Sequence, residues 1–146
     1  MSPPATVSVR SFVNVVPQVT GRIAWVDETF DDGGVFAADT PLFRIEQEDY
    51  KNALDQAKAS VEQAKTALAI EKAEGAAAQE EWKTLNPDKA IPDLVARLPQ
   101  LRQAEATLAA AEAQKADAAL ALSRTEYSLR YAGRIVESDI EVGKVV

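Results

Sequence analysis

From Tyr50 to Leu85 the sequence repeats at alternating steps of four and three. The positions are Tyr50, Leu54, Ala57, Val61, Ala64 and Leu68, then, after a polar Glu71, Gly75, Ala78, Trp82 and Leu85. This spacing lays one stripe along a long helix, and the stripe needs a partner helix to cover it. "NPDKAIP" follows, with two prolines and an Asn-Pro step, and it stops the helix. A second seam runs through Leu101, Ala104, Leu108, Ala111, Ala118 and Leu122, interrupted by Lys115. Pro99 delays or kinks its first turn. Two helices of similar length joined by a short breaker lie antiparallel, each on the order of 50 Å long at the α-helical rise. Their open ends, near Ile45 and Tyr127, must then be neighbours.

At that open end the chain states one β phrase twice. "TGRIAWVDETFDDGGVF" begins at Thr20, and a shortened echo, "AGRIVESDIEVGKVV", closes the chain from Ala132. Each copy opens on Gly-Arg-Ile, at Gly21 and Gly133, and each reaches a Gly-x-x-apolar step, at Gly33 and Gly143. Around the first copy, "SFVNVVPQV", "RIAWV" and "PLFRI" read as short strands and "DDGG" as a turn. Around the second, "EYSLRYAGRIV" reads as strand. The chain is therefore expected to be α+β. Residues 9–47 and 126–146 form two halves of one β unit, and residues 48–125 form an inserted helical pair with its tip near 86–92. Residues 1–8 are a loose lead-in.

Composition narrows the function. Apolar residues make up 47% of the chain, but with four Phe, two Trp and three Tyr the apolar share is mostly alanine, which suits a narrow interface between close backbones. Without Cys or His there is no disulfide, no thiolate nucleophile, no usual zinc site and no histidine acid/base pair. The remaining carboxylates alternate with lysines along helix faces, so the chain reads as a non-enzyme without a cofactor. A net charge of −7 argues against a nucleic-acid partner, which needs a basic face. Between Glu28 and Asp49, seven acidic residues face one basic residue, Arg44, and this reads as a solvated acidic loop. No stretch approaches the ~20 apolar residues of a membrane span, and "MSPPATVSVR" lacks the apolar run of a signal peptide.

The ordered set of motifs resembles the periplasmic adaptor subunits of tripartite efflux pumps, also called membrane fusion proteins. The family's Pro-x-Val-Ser/Thr-Gly-x-Ile phrase is matched by Pro17, Val19, Thr20, Gly21 and Ile23. Its Gly-x-x-Val turn and Leu-Phe-x-Ile strand are matched by Gly33, Leu42, Phe43 and Ile45. Its Asp-x-x-Tyr-x-x-Ala-Leu helix start is matched at Tyr50, Ala53 and Leu54, with Asp49 directly before Tyr50 rather than three positions ahead of it. "LALSRTEYSLRYAGRIVESDIEVGKVV" is similar to the family's return. Asp39 stands where the family has a glycine, and Leu129-Arg130-Tyr131-Ala132 where it often has Ala-Pro-x-Asp.

The resemblance implies a lipoyl-like β-sandwich split into two halves by a long antiparallel coiled-coil hairpin, with Gly21, Gly33, Gly133 and Gly143 as its defining turns. It implies a periplasmic adaptor, associated with the inner membrane when full-length and assembled as a ring. Such an adaptor links an inner-membrane transporter to an outer-membrane channel, in a pump of the resistance-nodulation-division type. Family adaptors continue into a β-barrel and a membrane-proximal domain, so this chain is expected to be a fragment. At the family's channel-docking tip stand an Arg, a Leu and a Ser. Placing the tip isoleucine at Ile91 puts Glu81, Leu85 and Pro92 at those three positions, with Lys83 the alternative for the basic role. A lipoyl or biotinyl carrier is the other reading, because "DKA" at Asp88–Ala90 imitates a carrier's lysine turn. Lys89, however, lies at the hairpin tip, remote from any β turn.

Overall fold

The computed structural model describes residues 12–146; the lead-in and residues 9–11 of the first β segment lie outside that range. The order of elements is β1 (Ile23–Val26), β2 (Val35–Phe36), β3 (Pro41–Ile45), α1 (Glu48–Leu85), α2 (Leu98–Ser123), β4 (Glu126–Ser128) and β5 (Gly133–Arg134). The fold is α+β, with two long helices and two small antiparallel sheets, β1-β3-β4 and β2-β5. Two strand expectations change. Residues 12–19 form no strand, consistent with Pro17, which cannot donate to a ladder. "EYSLRYAGRIV" yields two short strands, β4 and β5, with a break between them.

The repeated phrase has a structural reason: each copy completes the other. Around the first Gly-Arg-Ile, Gly21 and Val146 exchange both backbone hydrogen bonds, at 3.1 and 2.9 Å, and Arg22 pairs with Val145. Ile23 N–H donates to the Lys144 carbonyl, and Gly143 N–H to the Ile23 carbonyl, both at 2.8 Å. Around the second, Gly133 pairs with Phe36 and Arg134 with Val35. Ile135 N–H donates to the Gly34 carbonyl at 2.8 Å, and Gly33 N–H to the Ile135 carbonyl at 2.6 Å. Thus each Gly-Arg-Ile docks on the Gly-x-x-apolar step of the opposite copy.

Both halves also feed one core. Ile23, Phe36, Leu42, Phe43 and Ile45 from the first half and Ile135 from the second are buried together. Phe43 stacks on Tyr127 with ring centroids 5.1 Å apart. A Cβ on Gly21 would lie 2.5 Å from Ile45 Cγ2, and one on Gly133 would lie 2.9 Å from Phe36 Cζ, so both positions need glycine for close approach. Gly33 and Gly143 turn the chain with φ of 79° and 89°. Asp39, at the position of a family glycine, also takes a left-handed conformation, with φ of 57°. Arg44, on the central strand β3 of the larger sheet, links the strands on either side of it. Its Nη2 lies 3.0 Å from Glu126, and its guanidinium sits 5.7 Å from the Trp25 ring, which is half-exposed rather than part of the core.

The helices leave this β unit side by side. Glu48 and Asp49 place negative charge at the positive end of α1. Its N-cap residue, Gln47, makes no side-chain cap. Instead its Nε2 donates to Thr125 Oγ1, just past the end of α2, at 2.9 Å. The Tyr50 hydroxyl donates to the Thr20 carbonyl, tying the first turn of α1 to the segment before β1. Along α1, every seam residue from Tyr50 to Trp82 is shielded, and Val61, Ala64 and Gly75 are buried. On α2, Ala111 is buried and Leu108 packs on the same cluster, while Lys115 points to solvent. The expected equality of length fails: α1 has 38 residues and α2 has 26.

Candidate functional site at the far end of the helices

The difference in length shapes the far end. Pro99 lacks an N–H, and its ring disfavours continuation of α2 toward its N-terminus. Arg97, the N-cap of α2, turns the chain in a left-handed conformation, with φ of 58°. The last ~14 residues of α1, roughly 20 Å of helix, therefore run on past the start of α2. A non-helical segment covers them instead. Trp82 Nε1 donates to the Lys89 carbonyl at 3.3 Å, and the Ala96 carbonyl lies 3.1 Å from where a Cβ on Gly75 would sit. Residues 92–98 close a turn of their own, with Ala96 N–H and Leu98 N–H donating to the carbonyls of Pro92 and Asp93, both at 3.0 Å.

Arg97 fastens this arrangement. Its Nε and Nη2 each lie 3.0 Å from a Glu71 carboxylate oxygen, and Nη2 also reaches Glu74 at 3.3 Å. The two-pronged contact to Arg97 lowers the Glu71 carboxyl below its ordinary value. The break in the seam at Glu71 is thereby explained: a carboxylate stands where an apolar residue is expected because a cation faces it.

The four tip residues named from the sequence occupy this end. Glu81 and Leu85 are exposed on the last turns of α1, while Ile91 is half-buried and Pro92 exposed in the returning segment. Leu94, which the sequence reading passed over, is 74% exposed, close to the 71% of Leu85. An apolar residue inside a presumed breaker carries no periodic signal, so nothing in the pattern marked it. Arg97 was missed too, although the lone Glu71 in the seam was a usable clue to a facing cation. Lys89 sits in the same far segment, remote from every strand.

Along the helix pair runs a shallow open trough, lined by Ser60, Gln63, Ala67, Ile70, Gln103 and Thr107. Among the described residues no His, Cys, Asp or Glu cluster could hold a metal ion, and no helix is long and apolar enough to cross a membrane.

No protein-family model and no curated protein matches the chain. Solved structures do. A protein assigned as an efflux transporter from Bacteroides eggerthii DSM 20697 matches with a TM-score of 0.68 at 18% identity, over 93% of this chain and 36% of its own. ZneB from Cupriavidus metallidurans matches with a TM-score of 0.55 at 20% identity, over 92% and 40%. MacA from Actinobacillus actinomycetemcomitans matches with a TM-score of 0.56 at 19% identity, over 92% and 45%. The chain thus spans less than half the length of each. The fold of this chain is the fold of a portion of those proteins, and it agrees with the resemblance of the sequence to the periplasmic adaptors of efflux pumps.

Proposed function

We propose that the chain is the helical and adjoining β portion of a periplasmic adaptor, non-catalytic, linking an inner-membrane transporter to an outer-membrane channel for export of drugs or other small molecules. The observation that carries the reading is the insertion of one long helix pair between two β halves that pair reciprocally, in a fold shared with an efflux transporter. In this reading the β halves, 9–47 and 126–146, are a split lipoyl-like sandwich, and residues 48–125 are a coiled-coil hairpin projecting toward the channel. A helix pair with an alanine-rich seam makes a stiff spacer, because close backbones leave little room for sliding. The trough along its side suits lateral packing of further copies in a ring.

The docking end is the far tip. Glu81 and Pro92 replace the Arg and Ser of the family tip, so charge-assisted contacts give way to apolar ones through Leu85, supported by Ile91 and the exposed Leu94. The test uses the full-length adaptor with its own transporter and channel, carrying Leu85→Ser or Glu81→Arg, with efflux and adaptor abundance measured together. Leu85→Ser is expected to abolish most efflux at normal abundance. Intact efflux would remove the docking role from this tip.

A further inference from the structure

The seam of α1 continues past the start of α2, and the segment that covers it there is not a helix. Gly75, Ala78 and Trp82 are shielded as the earlier seam residues are, yet their cover is residues 86–97. That cover has few fastenings. It is joined to α1 by the Trp82–Lys89 hydrogen bond, by the Asn86 N–H donated to the Trp82 carbonyl at 2.7 Å, and at its other end by Arg97. Its outer face is wet: residues 87–90 and 92–94 are exposed. Arg97 is the strongest of these fastenings, with a two-pronged hold on Glu71 and a third contact to Glu74. It keeps that hold from a backbone conformation that residues with a side chain seldom adopt. A non-glycine residue in this region persists where surrounding contacts fix it, and here the fixing contacts are the two carboxylates one turn apart on α1.

We propose that residues 86–97 are a strap over the overhang of α1, that the strap opens as a unit, and that Arg97 is its latch. In the closed arrangement the strap hides the narrow stripe Gly75-Ala78-Trp82. Opening exposes that stripe and carries Leu94 away from α1, while the helix pair from Glu48 to Leu68 and from Leu101 to Leu122 stays packed. Segments with few buried apolar contacts and solvent-exposed backbone hydrogen bonds open at the low end of a protein's range of local stabilities, and the strap has this character. The inference does not rest on the proposed docking role, since opening is a property of the chain alone.

The test is amide exchange on the whole chain, read at Val95 and Ala96 in the strap and at seam amides of α1 and α2, in wild type, Arg97→Ala and Arg97→Gly. Both variants lose the guanidinium, but only Arg97→Gly relieves the left-handed backbone. If Arg97 is the latch, both should lose at least tenfold protection in the strap while the seam amides keep theirs. In a Trp25→Phe background, acrylamide quenching of Trp82 should rise in parallel. Full protection in Arg97→Gly would assign closure to the backbone turn and overturn the latch. Equal loss in strap and seam would show that the segment does not open separately and overturn the strap.

Discussion

Gln47 and Thr125 lie 78 residues apart in sequence and share a hydrogen bond of 2.9 Å at the junction of both helices with the larger sheet. Thr125 is fully buried. Its hydroxyl accepts from Gln47 and donates to the Leu122 carbonyl at 2.6 Å, and its backbone carbonyl accepts from Ile45 N–H at 2.8 Å. One residue thus closes α2, receives α1 and joins the central strand. Thr125→Val keeps the shape but leaves Gln47 Nε2 without its partner and the Leu122 carbonyl with only the backbone N–H of residue 125, and should cost about 1–3 kcal/mol by chemical denaturation. Thr125→Ser, which keeps the hydroxyl, should cost clearly less.

The reciprocal pairing predicts that neither β half stands alone. Removal of residues 126–146 takes away β4, β5 and the partner of Gly21–Ile23, exposing Ile23, Phe36 and Phe43. The shortened chain should keep helical circular dichroism from α1 and α2 but lose the cooperative melt of the β unit. A cooperative melt and β signal unchanged from the full chain would contradict this.

Gly21 and Gly133 should both be costly to replace, and Gly21 the more so, because its φ of 156° also disfavours a side chain. Gly21→Ala and Gly133→Ala drive a methyl into Ile45 and Phe36 respectively, and overpacking of this kind costs about 1–3 kcal/mol. Gly33→Ala meets no neighbour and should lose only about 1 kcal/mol, from its left-handed backbone. Thermal melts of the three variants give the ranking directly.

Along the helices, Leu108 packs on Val61, Ala64 and Ala111. Leu108→Asp places an unpaired carboxylate in this cluster and should cost about 3 kcal/mol or more. Lys115→Asp, on an exposed turn of the same helix, should move the melting temperature little.

Acid should loosen the Arg97 contact. Glu71 has a lowered carboxyl in the folded chain, against an ordinary value of 4.5. The unfolded state therefore binds this proton more readily, and the contribution is present above 4.5 and lost as pH falls through the lowered folded value. Glu71→Gln should melt below wild type at neutral pH, with the gap closing progressively below about pH 4.5. A gap that is constant across that range would show that the carboxylate charge does not matter.

The seam was legible because its period persists through alanines as well as leucines: shielding follows the four-and-three positions from Tyr50 to Trp82. The end of the seam was not. Leu85 fits the period but is exposed, since periodicity cannot say where the partner helix stops. That limit is set by Pro99 and by the left-handed Arg97, and the second of these depends on carboxylates 23 and 26 positions earlier in the chain. In the β unit, Pro41–Ile45 was readable as a strand because it is buried along most of its length. Strands of two residues such as β2 and β5 are defined by their partner rather than by their own composition. At the tip, Glu81, Leu85, Ile91 and Pro92 could be placed at the far end from the breaker alone, whereas the folded-back path that brings Leu94 to the surface could not.

The reciprocal β pairing also dictates an order of assembly. Closing a loop of about 80 residues between Ile45 and Thr125 in an unstructured chain costs roughly 4 kcal/mol in the length-dependent part of the closure entropy. Contacts near the strap span far fewer residues, so they form at lower cost, and each added turn of helix shortens the gap that remains. The helices should therefore zip from the tip toward the sheet, delivering Thr125 to Gln47 and Ile45 at the end of the run. On this route the spacer is also the folding guide for the β unit: a lesion near Gly75 that leaves every strand intact should slow strand pairing, and stopped-flow refolding would detect it.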